Sequence, residues 1–140
     1  MRIRTILIAA PSFVAAVCTL GCYPKNIERY SLSQDAKDAA SDIRAIDFAE
    51  RSCYQKIGHF VSPEDARRDG CDKVWSAATK AESHGFSVEI KSNASDYSIR
   101  MVPSAPARVV SLYLDQTGTI HFGTKEQLAS PTTVVYHDQQ

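Results

Sequence analysis

The side chains able to do chemistry are few and scattered. The four histidines, His59, His84, His121 and His137, share no spacing. There is no His-x-x-x-His or Cys-x-x-Cys pair, so neither a metal site nor a redox dithiol is signalled. No Gly-x-Ser-x-Gly turn singles out a nucleophile among the serines, and no glycine-rich loop offers itself to phosphate. The adjacent acids Glu64 and Asp65 fall where a helix would begin, and there they suit the positive helix end better than paired acid–base work. With 16 Lys+Arg against 16 Asp+Glu the net charge is zero, which argues against a nucleic-acid binder. The expectation is a non-enzymatic protein with no metal, no cofactor and no nucleic-acid partner. The four cysteines, Cys18, Cys22, Cys53 and Cys71, are then the side chains with the most to say.

The first two of them belong to an address. Arg2 and Arg4 precede an uncharged, largely apolar stretch from Thr5 to Leu20. This is the layout of an export signal, short of the ~20 residues a spanning helix needs and interrupted by Pro11. Thr19-Leu20-Gly21-Cys22 resembles the lipobox of bacterial lipoproteins, although the leucine stands two rather than three residues before the cysteine. The resemblance implies a signal peptide over 1–21, acylation (palmitate) of Cys22 and membrane attachment through that lipid. The alternatives are ordinary cleavage after Ala16, which leaves a soluble secreted protein, and a retained anchor. Tyr23 in place of Asp favours, by likeness to known sorting rules, the outer membrane, with the domain facing periplasm or exterior. Cleavage before Cys22 leaves 119 residues and, with Arg2 and Arg4 gone, a net charge of −2. It also leaves two cysteines in a compartment that permits disulfides. A Cys53–Cys71 bridge is the reading for them, worth ~3 kcal/mol on the chain-entropy estimate; free thiols or redox chemistry are the alternatives.

The elements that position these residues follow from hydrophobic period. Residues 22–31 form the lipidated cysteine and a tether. Ser31 and Gln34 have capping-box spacing. Behind them Ala36, Ala39, Ala40, Ile43, Ile46, Cys53 and Ile57 recur at helical steps, with Asp35, Lys37, Asp38, Asp42, Arg44 and Glu50 assigned to the other faces. One long helix over 32–57 is expected, stopped by Gly58. Ser62-Pro63 opens a short second helix that Gly70 ends, and Asp72 to Ser83 carries Val74, Trp75, Ala78 and Ala81 as a third, with Trp75 assigned to the core and an exposed interface anchor as its alternative. From Phe86 the period becomes two: Phe86–Ile90, Tyr97–Met101, Val110–Leu114 and Thr119–Phe122 read as four strands. Asn93–Asp96 and Asp115–Gly118 supply turns. The expected class is α+β, one long N-terminal helix packed on a small antiparallel four-stranded meander. The domain spans 32–124, and a tail over 125–140 holds Val134-Val135-Tyr136 as a further edge strand.

This order has a family likeness. Ile43 to Gly58 with Ala49-Glu50, His84-Gly85-Phe86-Ser87-Val88, Tyr97-Ser-Ile-Arg-Met-Val-Pro103 and Leu114-Asp-Gln-Thr-Gly-Thr-Ile120 stand in sequence. Together, over 41–123, they resemble the headpiece of type IV pilin-like proteins and type II secretion pseudopilins. The resemblance implies a pilin-type headpiece and an accessory or adaptor role in pilus or secretion machinery, with an envelope protein as partner. The apolar helical stem and its glutamate, by which pilins polymerise, have no counterpart, so filament formation does not carry over. Exposed sheet-edge groups offer one mode of partner binding. A free-standing secreted or periplasmic ligand-binding module is the alternative function. Arg67-Arg68 is read as a solvated pair of cations, and the Asn93-Ala-Ser95 sequon as chance.

Overall fold

The computed structural model describes residues 33–136. Helix α1 runs Gln34–Ile57, α2 Pro63–Arg68 and α3 Asp72–Ser83; strands β1 Phe86–Ser92, β2 Tyr97–Pro103, β3 Val110–Asp115, β4 Ile120–Thr124 and β5 Val134–Val135 follow. The strands form one antiparallel sheet in the order β1-β2-β3-β4-β5. The class is therefore α+β, a helix packed on an antiparallel meander, with five strands where four and an optional edge were expected. Ser31 lies outside the described residues, and the cap of α1 is Ser33, whose Oγ accepts from Ala36 N at 3.1 Å. The helix ends at Gly58, whose φ of 82° closes the turn against Tyr54 O. Ser62 caps α2 through Asp65 N, with Pro63 in the first turn.

The helix meets the sheet through small residues. Ala36, Ala39, Ala40, Ile43 and Ile46 are all fully buried against a floor that includes Ile99, Met101, Leu112, Leu114 and Phe122. Alanine at three of these positions lets the helix axis approach the strands, and the isoleucines fill the space between. Register sets the floor: Val88, Met101, Leu112, Phe122 and Val134 are partners in one row, and Ile90, Ile99, Leu114 and Ile120 in the next. A slip of one residue in any strand would turn its row outward. Each buried Leu or Ile contributes ~1.5–3 kcal/mol of apolar burial.

A second, smaller core lies at the far end of α1. Ala49, Cys53, Val61, Ala66, Cys71 and Val74 pack together, and Ile90 and Ala77 touch both cores. Cys53 and Cys71 form a disulfide with a Cα–Cα separation of 5.5 Å, which ties α1 to the start of α3. A helix as short as α2 has little stability of its own; the bridge and the packing of Ala66 hold it in place.

The sheet face opposite α1 is covered at one corner. The segment after β4 folds back so that Ala129 is buried, its N–H bonded to Ser111 Oγ at 2.9 Å, while Ser111 Oγ donates to Thr124 O. Ser111 is fully buried as a result. A Cβ at Gly123 would come within 2.4 Å of Gln127 O and 2.5 Å of Ala129 N, both backbone atoms. Glycine is thus required by close approach rather than by its dihedral angles.

Two outcomes follow from this packing. Cys53→Ser lowers stability by ~3 kcal/mol under oxidising conditions and has little effect once the wild type is reduced, as read by urea unfolding. Gly123→Ala costs about 1–3 kcal/mol by forcing residues 127–129 off the sheet, and hydrogen exchange shows the loss first at Ala129 N–H.

Candidate interaction surface

The residues picked out as chemically able are mostly accounted for locally. His59 lies 3.8 Å from Asp69 and is half exposed. His121 Nδ1 is 2.9 Å from Thr133 O and fixes the strap before β5. His84 Nδ1 is 2.7 Å from Oδ2 of Asp42, a buried carboxylate. No hydroxyl or thiol lies in that pair, which instead anchors the α3–β1 corner to α1. Asp65 belongs to the cap of α2 and pairs with Arg68 at 2.8 Å, and Arg68 also reaches Asp69. His137 and Cys22 lie outside the described residues. The structure therefore brings Cys53 and Cys71 together but does not join the histidines into one site. Among the described residues no three His, Cys, Asp or Glu side chains converge as metal ligands, and no helix is long and apolar enough to cross a membrane. Asn93 forms a turn of its own, its Oδ1 accepting from Ser95 N at 2.9 Å and Asp96 N at 2.8 Å.

Three sequence assignments change. Asp42 and Glu50 were placed on the outer faces of α1, yet both are buried. Helical period alone cannot see this: an apolar stripe broadens where a helix is covered from two sides, and α1 packs against both the sheet and α3. Trp75 was assigned to the core, but it is 40% exposed. Val74 takes the inward position instead, and Trp75 turns one step around α3 toward solvent.

Trp75 is held rather than loose. The Arg67 guanidinium lies over its ring at 4.8 Å from the centroid, a cation–π contact. The two side chains border a groove of about 340 Å³ between α2, α3 and Val88 of β1, with Glu64 and Glu82 on its rim. So the dipeptide Arg67-Arg68 divides its work: Arg68 closes α2 through carboxylates, and Arg67 stiffens an exposed aromatic. A second hollow, about 470 Å³, lies against the disulfide. There Lys56 Nζ donates to Gly70 O at 2.7 Å, and Lys73 borders the opening.

Glu50 is the unusual titratable group. It is fully buried, Oε2 accepts from Val61 N at 3.3 Å, and Oε1 has no partner among the described residues. Burial raises its pKa from the ordinary 4.5 to about 7, opposed by the Val61 hydrogen bond and reinforced by the Asp47 charge. Asp47 itself accepts from the Tyr97 hydroxyl and pairs with Arg51 at 3.0 Å. Burial and that bond raise the Tyr97 phenol.

A carboxyl whose pKa is raised by folding binds more protons in the folded chain than in the unfolded one. Its contribution is therefore fully present below about pH 4.5 and is lost as pH rises to about 7. The loss is on the order of 3 kcal/mol. Glu50→Gln keeps the acceptor for Val61 N–H and removes the charge. The melting temperature of the wild type should fall relative to that of this variant between pH 5 and 7.5, whereas parallel profiles would contradict the assignment.

No family model matches the chain, and neither a curated protein nor a solved structure does.

Proposed function

We propose that this protein is a non-enzymatic, lipid-anchored envelope protein whose pilin-like domain serves as an adaptor in pilus or secretion-type machinery. Acyl chains on Cys22 attach it to the membrane, in the outer membrane facing periplasm or exterior. The ten residues 22–31 extend at most ~35 Å, so the domain works close to the bilayer and meets partners already in the envelope.

The observation that carries the reading is Trp75. An aromatic side chain left 40% exposed and braced by Arg67 is the pairing that concentrates binding energy at protein interfaces. Two further features support it. The segments quoted for the resemblance are each a local structural unit: Tyr97–Pro103 is the whole of β2, Leu114–Ile120 spans the turn between β3 and β4, and Phe86 opens β1 after Gly85. The Cys53–Cys71 bridge suits an exported chain.

Two measurements test the proposal. Cys22→Ser should move the protein from the membrane to the soluble fraction; retention overturns the anchor. A photo-crosslinking residue at Thr79, beside Trp75, should give one adduct of fixed stoichiometry with an envelope protein, lost in Trp75→Ala. A small-molecule-induced rise in melting temperature with no adduct overturns the adaptor role in favour of a ligand-binding module.

A further inference from the structure

The sheet has one long open edge. Among the described residues, β5 shields β4, whereas β1 pairs only with β2. Which of its backbone groups face outward follows from the hydrogen bonds flanking the β1–β2 pair. Gly85 O accepts from Ser104 N at 2.9 Å, and Asn93 N donates to Asp96 O at 2.9 Å. Odd-numbered residues of β1 therefore direct their backbone toward β2. The N–H and C=O groups of Val88, Ile90 and Ser92 point away from the sheet. No described strand takes them up.

Edges of this kind are commonly guarded by charge. A guard of one sign repels every second copy, and β1 does not carry one. Its solvent-face side chains at 89 and 91 are Glu and Lys, both exposed, with Nζ and Oε1 3.1 Å apart in the single chain. Opposite signs two residues apart are complementary to themselves when the strand is turned end for end. In an antiparallel pairing of two β1 strands, only the register centred on Ile90 places Glu89 opposite Lys91 of the second copy, and it does so twice. Centring on Glu89 or Lys91 sets like charges face to face, and centring on Val88 or Ser92 leaves both charges without an opposite partner. In the favoured register Ile90 meets Ile90 on the helix side. The outward backbone groups of Val88, Ile90 and Ser92 pair across the axis, and the two Glu–Lys pairs occupy the closer, non-hydrogen-bonded positions.

We propose that two copies of this chain associate through antiparallel pairing of their β1 edges about Ile90, which joins two five-stranded sheets into one. Anchoring in a membrane raises the local concentration of the chains and strengthens so short a contact. The edge borders the Trp75 groove through Val88, while the strand pair itself uses the backbone of β1 and leaves the Trp75 ring outside it.

Sedimentation velocity on the purified protein, with its N-terminal segment as produced, tests this in four forms. The wild type should show a concentration-dependent monomer–dimer equilibrium. Glu89→Lys and Lys91→Glu, each of which sets like charges across the axis, should weaken it at least tenfold. The double variant Glu89→Lys/Lys91→Glu restores complementarity and should restore the dimer. A wild type that stays monomeric to millimolar concentration overturns the proposal. So does a dimer that the single substitutions leave unchanged, or one that the double variant fails to recover. Melting temperatures of all four forms separate loss of association from loss of fold.

Discussion

The contact between α1 and the sheet is the constraint on which the rest of this structure depends. Three alanines and two isoleucines on one face of a single helix cover the hydrophobic floor of the central strands. Ion pairs and hydrogen bonds fix the helix at both ends. Near its start, Asp35 pairs with Arg108, whose Nε also donates to His84 O. Toward its end, Arg51 donates to Gln116 O in the β3–β4 turn, and Asp47 accepts from Tyr97. With both ends held, the helix cannot slide along the strands without breaking polar contacts as well as apolar ones. Everything outside this layer is placed relative to it.

The α2–α3 unit is the clearest dependent. It adds a small core of its own and is fastened to α1 by the disulfide and to β1 by continuity through Gly85. That fastening decides where Trp75 stands, because Val74 fills the inward position and the next residue along α3 faces out. It also places a buried carboxyl, Glu50, on α1 between residues of the larger core and residues of the smaller one. Burial disfavours the charge on Glu50 there, so the joint between the two cores is where a rise in pH toward 7 costs stability through this carboxyl.

Much of this was legible because backbone chemistry is local. Gly58, Ser62-Pro63, Gly70 and the Asp115–Gly118 turn act through their own dihedral angles and caps, and each stands where an element begins or ends. The switch of period after Gly85 is equally local, and the Val134-Val135 strand was signalled by an apolar run in an otherwise polar tail. What escaped was set by neighbours distant in sequence. Asp42 and Glu50 are buried by α3 and by the segment around Val61, and neither signal exists in the helix itself. Trp75 looked like core because size and apolarity favour burial, and only the packing of Val74 decides otherwise. Ser111 read as an ordinary strand residue and Gly123 fell just past the fourth strand, until the chain returned over both at 127–129. Glu89 and Lys91, two residues apart, likewise carry no message until the hydrogen-bond parity of β1 shows which edge is open.

The proposed role by contact near a membrane surface rests on an exposed tryptophan braced by Arg67 on an α+β domain. The proposed function depends most heavily on the chain being exported and beginning at Cys22, and the fold carries one closed bridge, Cys53–Cys71. The measurement that tests this most directly is the intact mass of the unreduced protein extracted from membranes, with fragmentation to place the N-terminal modification. The account predicts a chain beginning at acylated Cys22 and lighter by two hydrogens than its reduced form. An unlipidated chain beginning elsewhere, or one with both Cys53 and Cys71 free, would contradict it.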